Sequence, residues 1–245
     1  MCDRDGSNPT QVSSFNGMEG SSHWSPGSRR PHWSPDSRRI VFWSNASGKS
    51  EIYVVNVDGG QLRRLSTGTQ NAFNPFWSAD GRWIYFASHM FSSSAESAAI
   101  WKVPAEGGTA VRLTKEGRYD PQESVDGTRV FYVVADHEGA NVTAQIWSVP
   151  SNGGDERRET VMTTNASWAP AQGGIYFLDG IDSNGGSRGR LRFFDFASRH
   201  LLMLAELEPG AVFPGDMSVS RDGRTIFYSE IDQRLADIML VEGFR

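Results

Sequence analysis

The sequence predicts an all-β fold built from about five copies of one four-stranded unit. Three observations carry that expectation. A short apolar strand recurs as Ile40-Val41-Phe42, Ile84-Tyr85-Phe86, Val130-Phe131-Tyr132, Ile175-Tyr176-Phe177 and Ile226-Phe227-Tyr228, at spacings of 44, 46, 45 and 51 residues. Seven residues before these strands stand Trp33, Trp77, Glu123, Trp168 and Val219. No stretch of useful length carries the 3.6-residue period of a helix. Four short strands per period of about 40–50 residues is the signature of a β-propeller blade. A β-sandwich also alternates strands and turns, but it does not repeat one four-strand pattern at a fixed period.

In chain order, residues 1–30 read as a closing strand followed by an irregular connector. Asp5-Gly6-Ser7-Asn8-Pro9-Thr10-Gln11-Val12 parallels Asp58-Gly59-Gly60-Gln61-Leu62, a turn and outermost strand. The last copy ends after its third strand, Ile238 to Val241, so residues 7–15 are placed to pair beside it and close the ring. A fragment of a larger propeller is the other reading, and both stay open. Ser22 to Arg30 duplicates part of His32 to Arg39, but only the second is followed by a strand, Ile40 to Trp43. Residues 31–245 then hold the propeller, with blades at about 31–66, 75–114, 121–160, 167–205 and 213–242.

Each blade opens with a hairpin. Asp80-Gly81 between apolar runs is a strong turn signal, since glycine takes positive φ without a Cβ clash. In the copy Trp33-Ser34-Pro35-Asp36 the proline has the fixed φ of a type I turn's second position. After the turn, Ile84 and Phe86 face one side of the sheet and Tyr85 the other. A second pair of strands follows: Ile52 to Val55 with Leu62 to Leu65, Ile100 to Val103 with Val111 to Leu113, and Ile146 to Val149 after its own Gly-Gly turn. In the fourth and fifth copies only the third strand is clear, at Leu191 to Phe196 and Ile238 to Val241.

The formal net charge of −5 gives no global basic field, so direct nucleic-acid binding by this chain is not expected. The arginine pairs Arg38-Arg39, Arg63-Arg64 and Arg157-Arg158 read as solvated strand ends. Cys2 is the only cysteine, which excludes an internal disulfide and a cysteine metal site. The opening residues Met1 to Gly6 lack the apolar region of a secretory signal, and no stretch approaches the ~20 apolar residues of a membrane span. As written the chain reads as cytoplasmic and monomeric.

Pro75-Phe76-Trp77-Ser78-Ala79-Asp80-Gly81 with Ile84-Tyr85-Phe86, and Ile52 to Gly60 with Arg64-Leu65-Ser66, closely resemble the WD-repeat-like propeller repeat of the TolB family. The resemblance covers about residues 31–242, and its details are similar to bacterial propellers attached to winged-helix regulators of the CadC type. It implies a non-enzymatic binding propeller, the sensory or interaction part of such a regulator without its DNA-binding domain, and a periplasmic location if this is a fragment of a protein of either kind. The alternative it implies is the substrate-gating propeller of a prolyl-oligopeptidase-type serine peptidase without its hydrolase domain. Glu123, Gln172-Gly173 and Arg221-Asp222-Gly223 depart from the pattern.

No chemistry rises above packing. Gly185-Gly186-Ser187-Arg188-Gly189 matches Gly-x-Ser-x-Gly but lacks the strand and helix that make a nucleophile elbow. Asp179, Asp182 and Asn184 lack the spacing of a calcium loop, and His23, His32, His89, His137 and His200 have no zinc-ligand spacing. No catalytic residue, metal or cofactor is therefore expected. The loops between second and third strands, Asn45 to Ser50, His89 to Ala99, Asp136 to Gln145 and Asp179 to Gly189, vary most. Strand alternation puts them on one face and the Asp-Gly and Gly-Gly turns on the other. A protein or small-molecule partner is expected on the long-loop face, with His89, Phe91, Asp136, His137, Asp182 and Arg188 as its contacts.

Overall fold

The computed structural model describes residues 31–65, 71–89, 99–115, 119–138, 141–162, 167–179, 189–207, 211–220, 222–232 and 235–242. Among these residues there are strands and no helix. The strands form five sheets, four of four strands and one of three, each built from neighbours in sequence order. This is the all-β propeller-blade architecture that the repeat predicts. The closing strand expected at residues 7–15 lies outside the described residues.

The chain separates into two compact units. The first contains β1 (His32–Trp33), β2 (Arg39–Ser44), β3 (Glu51–Asn56) and β4 (Arg63–Arg64) as one sheet. Its second sheet is β5 (Asn71–Trp77), β6 (Trp83–His89), β7 (Ala99–Pro104) and β8 (Val111–Arg112), and β9 (Tyr119–Glu123) packs with it. The second unit contains β10 (Arg129–Glu138), β11 (Asn141–Pro150) and β12 (Arg157–Met162). It also contains the sheet of β13 (Ser167–Ala171), β14 (Gly174–Asp179), β15 (Arg190–Asp195) and β16 (Leu201–Glu206), and the sheet of β17 (Ala211–Val219), β18 (Thr225–Asp232) and β19 (Leu235–Glu242).

Apolar runs become central strands because blades bury both faces. In the first unit Val41, Trp43, Ile52 and Val54 share one core with Phe73, Trp77, Ile84, Phe86 and Val103. The opposite face of the same sheet carries Ile40, Phe42, Tyr53 and Val55, also buried. Burial of each such side chain contributes about 1.5–3 kcal/mol. In the second unit Phe131, Ile146, Trp168, Ile175, Phe177 and Phe194 form one cluster, and Leu178, Leu191, Met217, Ile226 and Tyr228 another. Phe73 and Phe76 flank a register shift in β5, where Asn74 takes φ 53° and Pro75 lacks the N–H a regular ladder would use.

The first turn of four copies is one hydrogen-bonded device. Ser78 Oγ donates to Asp80 Oδ1 at 2.6 Å and accepts from Trp83 N–H, while Asp80 Oδ1 also accepts from Arg82 N–H. Ser34/Asp36, Ser124/Asp126 and Ser220/Asp222 repeat these bonds. Gly81 N–H closes the turn onto Ser78 O, so glycine follows the two central residues, at φ 70°. Three bonds through one serine and one aspartate satisfy turn groups that would otherwise compete for water. In the fourth copy Gln172-Gly173 makes a two-residue hairpin, with Ala171 opposite Gly174.

Two expectations are corrected. Residues 136–145, read as a loop, belong to a hairpin whose ladder runs from Arg129 opposite Pro150 to Glu138 opposite Asn141. Ladder bonds use the backbone, so polar Asp136-His137-Glu138 extends the strand as readily as Val133-Val134. Two of the six arginines read as solvated strand ends, Arg39 and Arg63, instead hold a neighbouring sheet. Arg39 Nη1 meets Glu106 Oε1 at 2.6 Å and its guanidinium lies 4.9 Å from the Trp77 ring centre. Arg63 donates to Ala105 O and Glu106 O. Sequence alone shows charge, not the acceptor a neighbouring repeat brings opposite it.

Candidate functional site

Within each sheet, strand alternation puts the first and third turns at one end and the second-to-third connection at the other. The first-turn end carries a dense set of polar contacts. In the first unit, Arg39 and Arg63 grip the Ala105-Glu106 turn, and Lys102 Nζ donates to Ser151 O at 2.7 Å while lying over the Trp83 ring. In the second unit, Glu159 is the centre. Its carboxylate accepts from Ser148 Oγ, from Arg157 Nε at 2.7 Å and from Arg199 Nη1 at 2.9 Å, and Arg199 Nη2 also reaches Glu159 O. Burial works against the Glu159 charge, but Ser148, Arg157 and Arg199 outweigh it and hold the carboxyl below its ordinary range. Asp36, Asp80, Asp126 and Asp222 are held low too, first by the serine hydroxyl of their own turn.

These serines donate to the carboxylates of their own turns, and so lock those turns. Among the described residues no group of three or more His, Cys, Asp and Glu is placed to hold a metal ion. A depression at the same end of the first sheet is lined by Asp36, Arg38, Arg39, Asn56, Val57 and Asp58. Repeat logic did not single it out, because its residues are the ordinary turn positions of one blade.

The opposite end holds the connections expected to bind. The first, residues 45–50, is tied down: Ser47 Oγ donates to Glu51 Oε2, Gly48 N–H to Asn45 O, and Ser50 N–H to Asn71 Oδ1. Burial opposes the charge of Glu51, yet the Ser47 hydroxyl and Arg64 guanidinium keep its carboxyl below the ordinary range. Of the six expected contacts, His89 is the last residue of β6, paired with Asn71. Asp136 and His137 sit near the tip of the β10–β11 hairpin, opposite Thr143 and Val142. They share one element, whereas His89 belongs to the first unit. Phe91, Asp182 and Arg188 lie outside the described residues, as does Ser187. Among the described residues no helix is long and apolar enough to cross a membrane.

A family model described as the TolB β-propeller domain matches residues 2–215. The Tol-Pal system protein TolB of Desulfosudis oleivorans is 35% identical over 51 residues, 21% of this chain and 12% of that protein. Among solved structures, TolB from Acinetobacter baumannii superposes with a TM-score of 0.70 at 18% identity, covering 98% of this chain and 56% of that one. The putative TolB from Agrobacterium tumefaciens gives 0.69 at 16% identity, covering 94% of this chain and 79% of that one. The chain thus spans little more than half of the Acinetobacter protein and a small part of the Desulfosudis one.

Proposed function

The chain belongs to the TolB β-propeller domain family, and from that premise we propose that it is a non-enzymatic binding module that receives a protein partner at the end of its blades carrying the second-to-third-strand connections. The β10–β11 hairpin is the principal contact element. One observation carries the reading: both strands are 10 residues long, the longest in the described chain, and their ladder stays in register to its last pair. A continuous ladder presents Asp136 and His137 on a preorganised element, which lowers the ordering cost of association. The first-turn end is committed differently, since Arg39 and Arg63 are engaged by Glu106, and Arg157 and Arg199 by Glu159.

The test is affinity capture with the full chain as bait, followed by titration of the captured partner against variants. Asp136→Ala with His137→Ala should weaken binding at least tenfold while the melting temperature stays put. Arg38→Ala with Asp58→Ala, in the first-turn depression, should leave binding unchanged. Loss of binding in the second pair alone, or turnover of ester and peptide substrates by the purified chain, overturns the proposal.

A further inference from the structure

We propose that Arg129, Arg157 and Arg199, gathered on the Glu159 carboxylate, form an oxyanion site for a phosphate group. The third copy departs from the first two here. In those copies a buried leucine follows the arginine of the outer strand: Leu65 after Arg64, which stands opposite Tyr53, and Leu113 after Arg112, opposite Trp101. In the third copy Arg158 stands opposite Trp147, and the next residue is Glu159, 3% exposed, at a register shift between β11 and β12. Such shifts commonly re-aim a side chain beside a site. The two leucines show that packing needs no charge at this position, and apolar packing often matches or betters a buried ion pair. A repeat that breaks its own packing rule with a buried charge serves something besides packing.

The charges around Glu159 do not balance. Arg157 Nε lies 2.7 Å and Arg129 Nε 4.0 Å from its Oε1, and Arg199 Nη1 lies 2.9 Å from its Oε2. Three guanidinium groups thus face one carboxylate, and among the described residues no other carboxylate is in ion-pair contact with them. Glu156 accepts instead from the Tyr132 hydroxyl, and Asp195 from Ser198 N–H. Burial, and then the Arg157 charge, push the Arg129 guanidinium below its ordinary range. Donors are left over. Arg157 engages Glu159 through Nε, so both its Nη groups have no acceptor among the described residues, on a side chain 59% exposed. Arg129 is bonded through Nε and Nη2, which leaves Nη1. A guanidinium fork takes phosphate oxygens bidentately, and Glu159 already holds the forks in place. The excess of positive charge suits the charge of about −1.5 to −2 that a phosphomonoester carries near pH 7. Arg129 faces Pro150 at the end of the ladder remote from Asp136 and His137, so this site is separate from the hairpin tip.

Calorimetric titration of the full chain with inorganic phosphate and with methyl phosphate, at constant ionic strength, tests this. Saturable phosphate binding is expected, and Arg157→Ala should weaken it at least tenfold. Arg157→Lys, which keeps the charge but loses the fork, should weaken it too, whereas Arg158→Ala, at the neighbouring exposed arginine, should not. Arg157→Val with Glu159→Leu recreates the Val111-Arg112-Leu113 of the second copy, and should fold and bind no phosphate. Methyl phosphate binding as tightly as phosphate assigns the site to a phosphomonoester, and binding of phosphate alone assigns it to the free anion; either result upholds the site. No binding up to about 10 mM phosphate, affinity unchanged by Arg157→Ala, an equal loss in Arg158→Ala, or acetate bound as tightly as phosphate overturns the proposal. Weakening of partner capture by the Asp136/His137 variants bears on the hairpin alone and leaves this site untouched.

Discussion

Tyr85 donates its phenolic hydrogen to Glu123 Oε1 at 2.6 Å, a buried bond that joins the second strand of one repeat to the first strand of the next. Glu123 stands where three of the other four copies have tryptophan, and its second oxygen accepts from Ala79 N–H. The departure from the repeat is thus a replacement of ring packing by two hydrogen bonds. Glu123→Leu should cost about 2–4 kcal/mol, because it leaves both donors buried without an acceptor. Tyr85→Phe should cost about 1–3 kcal/mol by stranding one carboxylate oxygen. Chemical denaturation of the single variants and the double variant checks this: the double should cost less than the sum.

The same pair sets an alkaline limit. Burial, then the Glu123 bond and charge, push the Tyr85 hydroxyl well above its ordinary value of 10.0. The folded protein therefore keeps a proton that the unfolded chain releases. The stability this adds is complete below about pH 10 and declines as pH rises beyond it. Melting temperature should fall above pH 10, and Tyr85→Phe should flatten that fall.

Glu159 sets the acid limit with the opposite sign. Its carboxyl is held below the ordinary 4.5 by Ser148, Arg157 and Arg199, against the opposing effect of burial. The unfolded chain takes up the proton first, so the contribution is present above about pH 4.5 and lost as pH falls through the folded value. Glu159→Gln should lower stability at pH 7 and reduce the slope of melting temperature against pH between about 5 and 3. An unchanged slope would show that the cluster contributes nothing to acid unfolding. Arg199→Ala should act the same way but more weakly, since Arg157 and Ser148 remain.

Much of this was legible in the sequence because the repeat is carried by local chemistry. Ile84-Tyr85-Phe86 announces a strand covered on both faces, and Ser78-Ala79-Asp80-Gly81 announces the turn that starts it. What escaped was everything set by a partner remote in sequence. Arg39 and Arg63 look like solvated charge until Glu106 and Ala105 O are brought against them. Asp136 to Gln145 looked like a loop because its polarity rises, although backbone pairing is indifferent to polarity. Leu201-Leu202-Met203-Leu204 has no alternation, so the outer strand of the fourth copy was not marked by any period. For the candidate site, the sequence located the hairpin that holds Asp136 and His137 and mistook its conformation.

Gly174 opens β14 against a wall. A Cβ there would lie 2.2 Å from Phe194 O and 2.3 Å from Phe193 Cζ, and the carbonyl belongs to the ladder partner and cannot swing aside. Gly174→Ala should therefore cost about 1–3 kcal/mol through displaced backbone. An alanine variant as stable as the parent would mean that β14 and β15 separate here at no cost, and amide exchange along Arg190–Asp195 would report that separation.

The turn after β1 offers the reverse experiment. Ser37 occupies the position that Gly81 fills in the next copy, and both have positive φ, 57° and 70°. A side chain in that region costs roughly 1–2 kcal/mol. Glycine relieves it but gives back about 0.5–1 kcal/mol of unfolded-chain entropy. Ser37→Gly should therefore stabilise by about 0.5–1 kcal/mol, raising the melting temperature by about 1–4 °C in a domain of this size. Gly81→Ala should destabilise by a similar or larger amount. Its new methyl would meet only Pro35 Cδ at 3.8 Å, ordinary contact, so the whole penalty belongs to the backbone. Two opposite shifts from the two substitutions would show that the turns are conformationally equivalent despite their different residues. Stabilisation by neither, with Gly81→Ala tolerated, would mean that the Ser–Asp hydrogen bonds and not φ set the energy of this turn.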